Sequence, residues 1–228
     1  MHDIVYILRN DIQSDEIIYS LRSVDQNFRH NSVWIYGGKP DSIKPDHYVK
    51  YKQLGGSKYM KVTNTLREIC NNDDITEQFY LFNDDFFIMQ QVEEFPTLYA
   101  GTLWERCDRI RERHGRDSGY SKNLRETAAL LEREGYGQLD YALHCPILID
   151  RRKALDTLDQ FTGYPMFRSL YGNHHSIGGQ WAKDHKIQNT TDTPGECLFV
   201  STSDKSFRFG AVGKTLRTMF KEPSRFEA

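Results

Sequence analysis

The stretch that most limits what this chain can fold into is QFYLFNDDFFIM, Gln78–Met89. Phe79 to Phe82 and Phe86 to Met89 are short apolar runs of the kind that a sheet buries on both faces. Between them stand two adjacent carboxylates, Asp84 and Asp85. An unpaired charge in a core is too costly to keep. The pattern therefore predicts a strand whose C-terminal end delivers both acids to a cleft, where a cation neutralises them.

Strand and helix signals alternate before this stretch. Residues 3–8, 32–36 and 47–51 read as strands. Residues 14–28 read as a helix capped by Ser14, with Ile17, Leu21, Val24 and Phe28 at helical spacing. Residues 57–71 read as a second helix, with Tyr59, Val62, Leu66, Ile69 and Cys70 on one side. This order predicts an α/β fold, a mostly parallel sheet flanked by helices. Ligands of such sheets bind beyond the carboxyl ends of the strands, which is where the acid pair falls.

A chain of 228 residues suits one large domain, and its net charge of −2 leaves no global field to attract nucleic acid or an anionic membrane. Cys70, Cys107, Cys145 and Cys197 are scattered without a CxxC pair. They read as reduced thiols rather than a zinc or disulfide framework, and the start MHDIVYILRND lacks the pattern of a signal peptide. The expectation is a cytoplasmic protein with no membrane span.

Residues 103–138 change character. Arg106, Arg109, Arg111, Arg113, Arg116, Lys122, Arg125 and Arg133 interleave with Glu105, Asp108, Glu112, Glu126, Glu132 and Glu134. This predicts a helical, Arg-rich insertion, best formed over 122–134. A solvated face explains most of these arginines, and a lid that meets phosphates is the functional alternative. Residues 141–149 return to core and hold His144, by default a satisfied structural histidine, while Pro146, next but one, suggests an irregular or edge position where an imidazole could face a cleft. His174 and His175 are adjacent and so point in different directions, which argues against a two-histidine metal clamp. Residues 177–185 read as helix, 196–201 as a last strand, and 211–220 as a closing helix with basic residues around it.

Four separated blocks together resemble the Stealth family of sugar-phosphate transferases. That family includes bacterial capsule polysaccharide phosphotransferases and the catalytic subunit of the animal GlcNAc-1-phosphotransferase. The blocks are DIVY at 3–6 with YSLRSV at 19–24, FYLFNDDFF at 79–87, HCPILIDR at 144–151 followed by Arg168, and KTLRTMFKEPSRFE at 214–227. They span nearly the whole chain in the family's order.

The resemblance implies a single catalytic domain with a glycosyltransferase-A-like nucleotide-sugar fold. The implied activity is metal-dependent transfer of a hexose-1-phosphate from a nucleotide diphosphate sugar, most simply a UDP-sugar, to a saccharide hydroxyl. It also implies residue roles. Asp85 matches an essential acid, with Asp84 beside it, and His144 and Arg168 match the family's histidine and arginine. Glu68 matches an acid on the preceding helix, and Asp204 an acid of the fourth block. Donor contacts fall to Asp3, Arg22, Asn83 and Lys214.

The chemistry of such a transfer fits these residue types. Asp84, Asp85 and Asp204 offer hard oxygens suited to Mg²⁺ or Mn²⁺. Arg168 suits a phosphate, and His144 suits a general base. One departure leaves the nucleotide open. Tyr6 is followed by Ile7-Leu8-Arg9-Asn10-Asp11, where the family has a Trp-Val-Asp/Asn-Gly turn. The alternatives are transfer of the sugar itself, to a polysaccharide or a modified nucleic acid, and a non-catalytic nucleotide-sugar-binding module.

Overall fold

The computed structural model describes residues 1–11, 15–53, 56–115, 118–163 and 166–227. The chain runs β1 (Asp3–Leu8), α1 (Glu16–Asn27), β2 (Val33–Gly37), β3 (His47–Val49), α2 (Lys58–Cys70), β4 (Gln78–Phe82) and β5 (Phe86–Ile88). It continues through β6 (Leu98–Tyr99), α3 (Leu103–His114), α4 (Gly119–Arg133), β7 (Ile147–Asp150), α5 (Arg151–Gln160) and α6 (Phe167–His174). It ends with β8 (Gln180–Trp181), β9 (Lys186–Ile187), β10 (Phe199–Thr202), α7 (Asp204–Phe209) and α8 (Ala211–Met219). Ser14 and Arg116, singled out above, lie outside the described residues.

The central sheet has the order β3-β2-β1-β4-β7, parallel except for β7. Its apolar strands alternate between two cores. Ile4, Tyr6 and Leu8 of β1 face α1 with Phe82 and Phe86, while Val5 joins Trp34, Tyr36, Leu66 and Ile149 on the face covered by α2, α5 and α6. The chain moves outward from β1 to β2 and β3, then returns across to β4 on the other side of β1. The gap between the ends of β1 and β4 is thus the topological switch point, the place where an open α/β sheet forms its crevice.

After Phe82 the chain turns through Asn83–Asp85 and enters β5, which leaves the central sheet and pairs antiparallel with β10. Helix α1 holds β5 with one polar face. Ser20 Oγ donates to the Phe86 carbonyl at 2.6 Å, Ser23 Oγ accepts from the Ile88 amide at 3.0 Å, and Asn27 Nδ2 donates to the Ile88 carbonyl at 2.7 Å. These residues share one stripe of the helix, so backbone groups that would be buried unpaired are satisfied.

Several expectations change in the folded chain. Residues 177–185 do not form a helix. Gly178 and Gly179 take φ of +67° and +120°, left-handed values that a helix cannot hold, and the segment forms β8 and part of a loop into β9. The 103–138 insertion is helical, but α3 and α4 pack into a core of their own. Leu103, Cys107, Leu124, Ala128 and Leu131 meet Phe161, Met166 and Leu170. Among the described residues no helix is long and apolar enough to cross a membrane.

Two expected donor contacts are structural. Asp3 sits at the start of β1, the end of the strand opposite the crevice, and is fully buried. Its carboxylate accepts hydrogen bonds from Asn31 Nδ2 at 2.8 Å and from the amides of Ser32 and Thr76 at 3.0 and 2.9 Å. Arg22 forks onto Glu227 at 2.8 and 2.6 Å and donates to the Phe220 and Lys221 carbonyls, tying the C-terminal segment to α1. Replacing Asp3 by Ala removes three hydrogen bonds at a buried position and is expected to lower stability by about 1–3 kcal/mol, read from urea unfolding.

Candidate active site

A cleft of about 720 Å³ opens at the switch point. Its floor and rim come from Arg9, Asn10 and Asp11 after β1 and from Asn83 and Asp84 after β4. One wall is α2, through Tyr59, Lys61, Val62 and Leu66, and the other is the start of α6, through Phe167, Arg168 and Ser169. The volume lies in the range of small-molecule sites. Arg9, Lys61 and Arg168 give the lining a cationic character suited to an anionic ligand.

The turn after β4 separates the two acids. Asp84 lines the cleft. Asp85 points toward the second sheet, where its Oδ2 accepts from Lys186 Nζ at 2.9 Å and from Ser201 Oγ at 2.9 Å. The turn thus sends one acid to each neighbourhood. The cation that the sequence demanded for Asp85 is therefore supplied from within, by Lys186.

Asp84 has no such answer: among the described residues no side chain hydrogen-bonds or ion-pairs with it. Burial, then the neighbouring charges of Asp85 and Glu16, push its carboxyl up to about 7. Glu16 is itself buried at the start of α1, accepting from Thr202 Oγ1 at 2.6 Å. A half-buried carboxylate crowded by two others and open to a cleft is a fit for a hard divalent cation. Asp84 and the Asn83 side chain are the oxygens available to it from this turn. Asp84, not Asp85, is thus the acid of the pair that lines the cleft.

His144 lies two residues beyond Ala142 of the cleft wall and is partly exposed. Its Nδ1 donates to Asp184 Oδ2 at 2.9 Å, and its own amide donates to Asp184 Oδ1 at 3.3 Å. Arg106 of α3 stands 3.7 Å from the same carboxylate. Burial alone would raise Asp184, but the hydrogen bonds from His144 and the charge of Arg106 outweigh it and hold the carboxyl below its usual range. An ionised carboxylate on Nδ1 fixes the ring's tautomer and leaves Nε2 as the basic nitrogen. The amide of Lys186 also donates to Asp184, at 3.3 Å, so one short segment carries the partners of both His144 and Asp85.

Arg168 was expected to fork onto a phosphate. Instead its Nη1 donates to the carbonyls of Leu143 and Cys145 at 2.6 and 2.8 Å, on either side of His144. Its Nη2 reaches the Leu81 carbonyl at 3.5 Å. Its guanidinium is buried, which pulls its basicity down against the opposing charges of Asp85 and Asp184. It braces the His144 loop against β4 while bordering the cleft.

Three other expected residues lie elsewhere. Glu68 is exposed on α2, on the side of Tyr36 and Tyr51, because Leu66 and Ile69 claim the buried face. Asp204 is exposed in the first turn of α7, where a negative charge suits the helix terminus. Lys214 is exposed on α8, whose apolar face packs on Phe87, Val200 and Phe207. None of the three lines the cleft. Glu16, Asp184, Lys186 and Ser201 were missed. Glu16 arrives with α1, and the other three arrive through the pairing of β10 with β5 and β9, which no local spacing announces.

No protein-family model matches the chain, and no curated relative does. Among solved structures the chain is similar to the galactosyltransferase LgtC in complex with donor and acceptor sugar analogues. The identity is 8%, covering 82% of this chain and 76% of that one, with a TM-score of 0.43. It is also similar to the apo form of the glycosyltransferase GlyE of Streptococcus pneumoniae, at 10% identity over 97% of this chain and 51% of that one, with a TM-score of 0.38. Likenesses this distant carry no activity over to this chain.

The raised Asp84 makes a signed prediction. Between the ordinary carboxyl value of 3.8 and about 7, the folded chain holds a proton that the unfolded chain has lost. This group therefore destabilises the fold progressively as pH rises through that window. Asp84→Asn is expected to stabilise the protein by about 1–3 kcal/mol near pH 8, with the gain fading toward pH 4, as read from denaturation midpoints across pH.

Proposed function

We propose that this chain is a metal-dependent transferase that moves a hexose-1-phosphate from a nucleotide diphosphate sugar to a saccharide hydroxyl. The observation that carries the reading is Arg168 of the cleft wall, which ties the strand leading to one device to the loop that bears the other. One is an unanswered carboxylate, Asp84, on a cationic cleft. The other is an Asp184-oriented imidazole, His144, on the loop whose carbonyls at Leu143 and Cys145 are gripped by Arg168 of the cleft wall. The four blocks that resemble sugar-phosphate transferases supply the reaction class.

In this reading Arg9 and Lys61 meet the diphosphate, and Asp84 with Asn83 holds the divalent ion, Mg²⁺ or Mn²⁺. The ion's contribution is to neutralise charge on the diphosphate oxygens. His144 Nε2 takes the proton of the acceptor hydroxyl as that oxygen attacks the phosphorus next to the sugar, and the nucleoside monophosphate leaves. Asp184 stabilises the imidazolium that forms, while Arg168 and Arg106 keep the loop and the carboxylate in register. Asp85 acts through Lys186 and Ser201 to hold the turn that presents Asp84. A UDP-sugar is the first donor to try.

The test is a panel of nucleotide sugars with Mg²⁺ or Mn²⁺ and a saccharide acceptor, reading the nucleotide released. The monophosphate is the expected product. Release of the diphosphate would instead mean transfer of the sugar itself, and turnover of no donor would favour a binding module. With the active donor, His144→Ala is expected to lower kcat by about 10²–10⁴ while leaving donor binding intact. Asp184→Asn, which keeps the shape but loses the charge, is expected to lower kcat by roughly 10-fold or more and to move the acidic limb of the pH–rate profile to lower pH.

A further inference from the structure

On the face of the molecule formed by α5 and the far end of α6, three side chains converge that the proposed reaction does not use. His174 Nε2 lies 3.7 Å from Asp156 Oδ2, and His175 Nε2 lies 3.8 Å from the same oxygen. One ligand atom from each of the three residues falls within 4.8 Å of the other two. The adjacency of the histidines along the chain suggested divergence. The helix ends at His174, however, and His175 has left helical geometry, so its ring swings back beside its neighbour with centroids 4.2 Å apart. His174 is held in place by edge contacts to Tyr136 and Phe161, each at 5.2 Å.

Thr157 of α5 decides where the protons sit. Its hydroxyl donates to the Lys153 carbonyl at 3.0 Å, so its oxygen is left to accept. It lies 3.2 Å from His174 Nδ1 and 3.0 Å from His175 Nε2. A neutral His174 with its proton on Nδ1 presents a bare Nε2 lone pair. That lone pair faces the carboxylate of Asp156 across 3.7 Å, an arrangement that a cation between them relieves. Donors around a tetrahedral zinc ion stand about 3.3–3.5 Å apart, so a few tenths of an ångström of closure brings each imidazole to its place beside Asp156.

We propose that His174, His175 and Asp156 form a zinc site, with Thr157 as the hydroxyl that orients His174 and water as the fourth ligand. His175 gives up its hydrogen bond to the Lys153 carbonyl, now 2.8 Å, and moves its proton to Nδ1 as it ligates. The chemistry is that of a borderline ion, Zn²⁺ or Co²⁺, because two imidazoles and one carboxylate suit neither Mg²⁺ nor Ca²⁺. The ion ties α5 to the end of the helix whose other end carries Arg168, and so secures the wall of the cleft from behind.

Calorimetric titration of the intact, reduced protein with ZnCl₂ in excess MgCl₂ tests this, the magnesium filling any all-oxygen site. One zinc per chain is expected. Cobalt in its place is expected to give tetrahedral visible bands without a thiolate charge-transfer band, which separates this site from the four cysteines. Thr157→Val is expected to weaken zinc by about 10–100-fold, and His174→Gln to weaken it further. Asp156→Asn provides the variant least able to disturb the fold, since that side chain is 63% exposed. Failure to bind one equivalent, or an equivalent that survives Asp156→Asn at full affinity, overturns the site. In the first case a proton on His174, paired with Asp156, is the occupant instead.

Discussion

The constraint on which this structure turns is the cost of removing carboxylates from water at the end of a buried strand. Three acids, Asp84, Asp85 and Glu16, crowd the point where β4 gives way to β5. Two are answered internally, Asp85 by Lys186 and Ser201 and Glu16 by Thr202. Those answers come from β9 and β10 and from the segment between them, so the second sheet must be present before the first can keep its acids. Asp84 is left over, and it faces the cleft.

A second set of polar contacts holds this turn where it is. Ser20, Ser23 and Asn27 of α1 satisfy the backbone of β5, and Arg22 on the same helix grips Glu227 near the end of the chain. Two of the sequence blocks that suggested a nucleotide-sugar enzyme, YSLRSV and the PSRFE ending, thus meet each other rather than a donor. Their effect on the cleft is indirect: they set the position of β5 and hence of Asn83 and Asp84. Arg168 does the same for His144, by gripping the carbonyls on either side of it.

Much of this was legible in the chain. The apolar runs of β1, β2 and β4 and the stripes of α1 and α2 have periods that only one local structure satisfies, and their alternation implies the parallel sheet. The acid pair at a strand end marked the cleft. Residues 177–185 misled because the helical spacing of apolar groups there competes with Gly178 and Gly179, whose left-handed backbone ends the contest. Glu68 was drawn from the resemblance alone, although Leu66 and Ile69 already mark the covered face of α2.

By itself the sequence determined the elements, the sheet they build and the strand end at which acids emerge, since these follow from hydrophobic period and from the cost of a buried charge. Only the tertiary structure decided which acid meets a ligand and which meets Lys186. It alone brought Asp184 to His144 and engaged Arg168, at the border of the cleft, with the main chain. Those outcomes depend on contacts between residues as far apart as Asp85 and Ser201, where no local rule reaches and where the pairing of strands sets every partner.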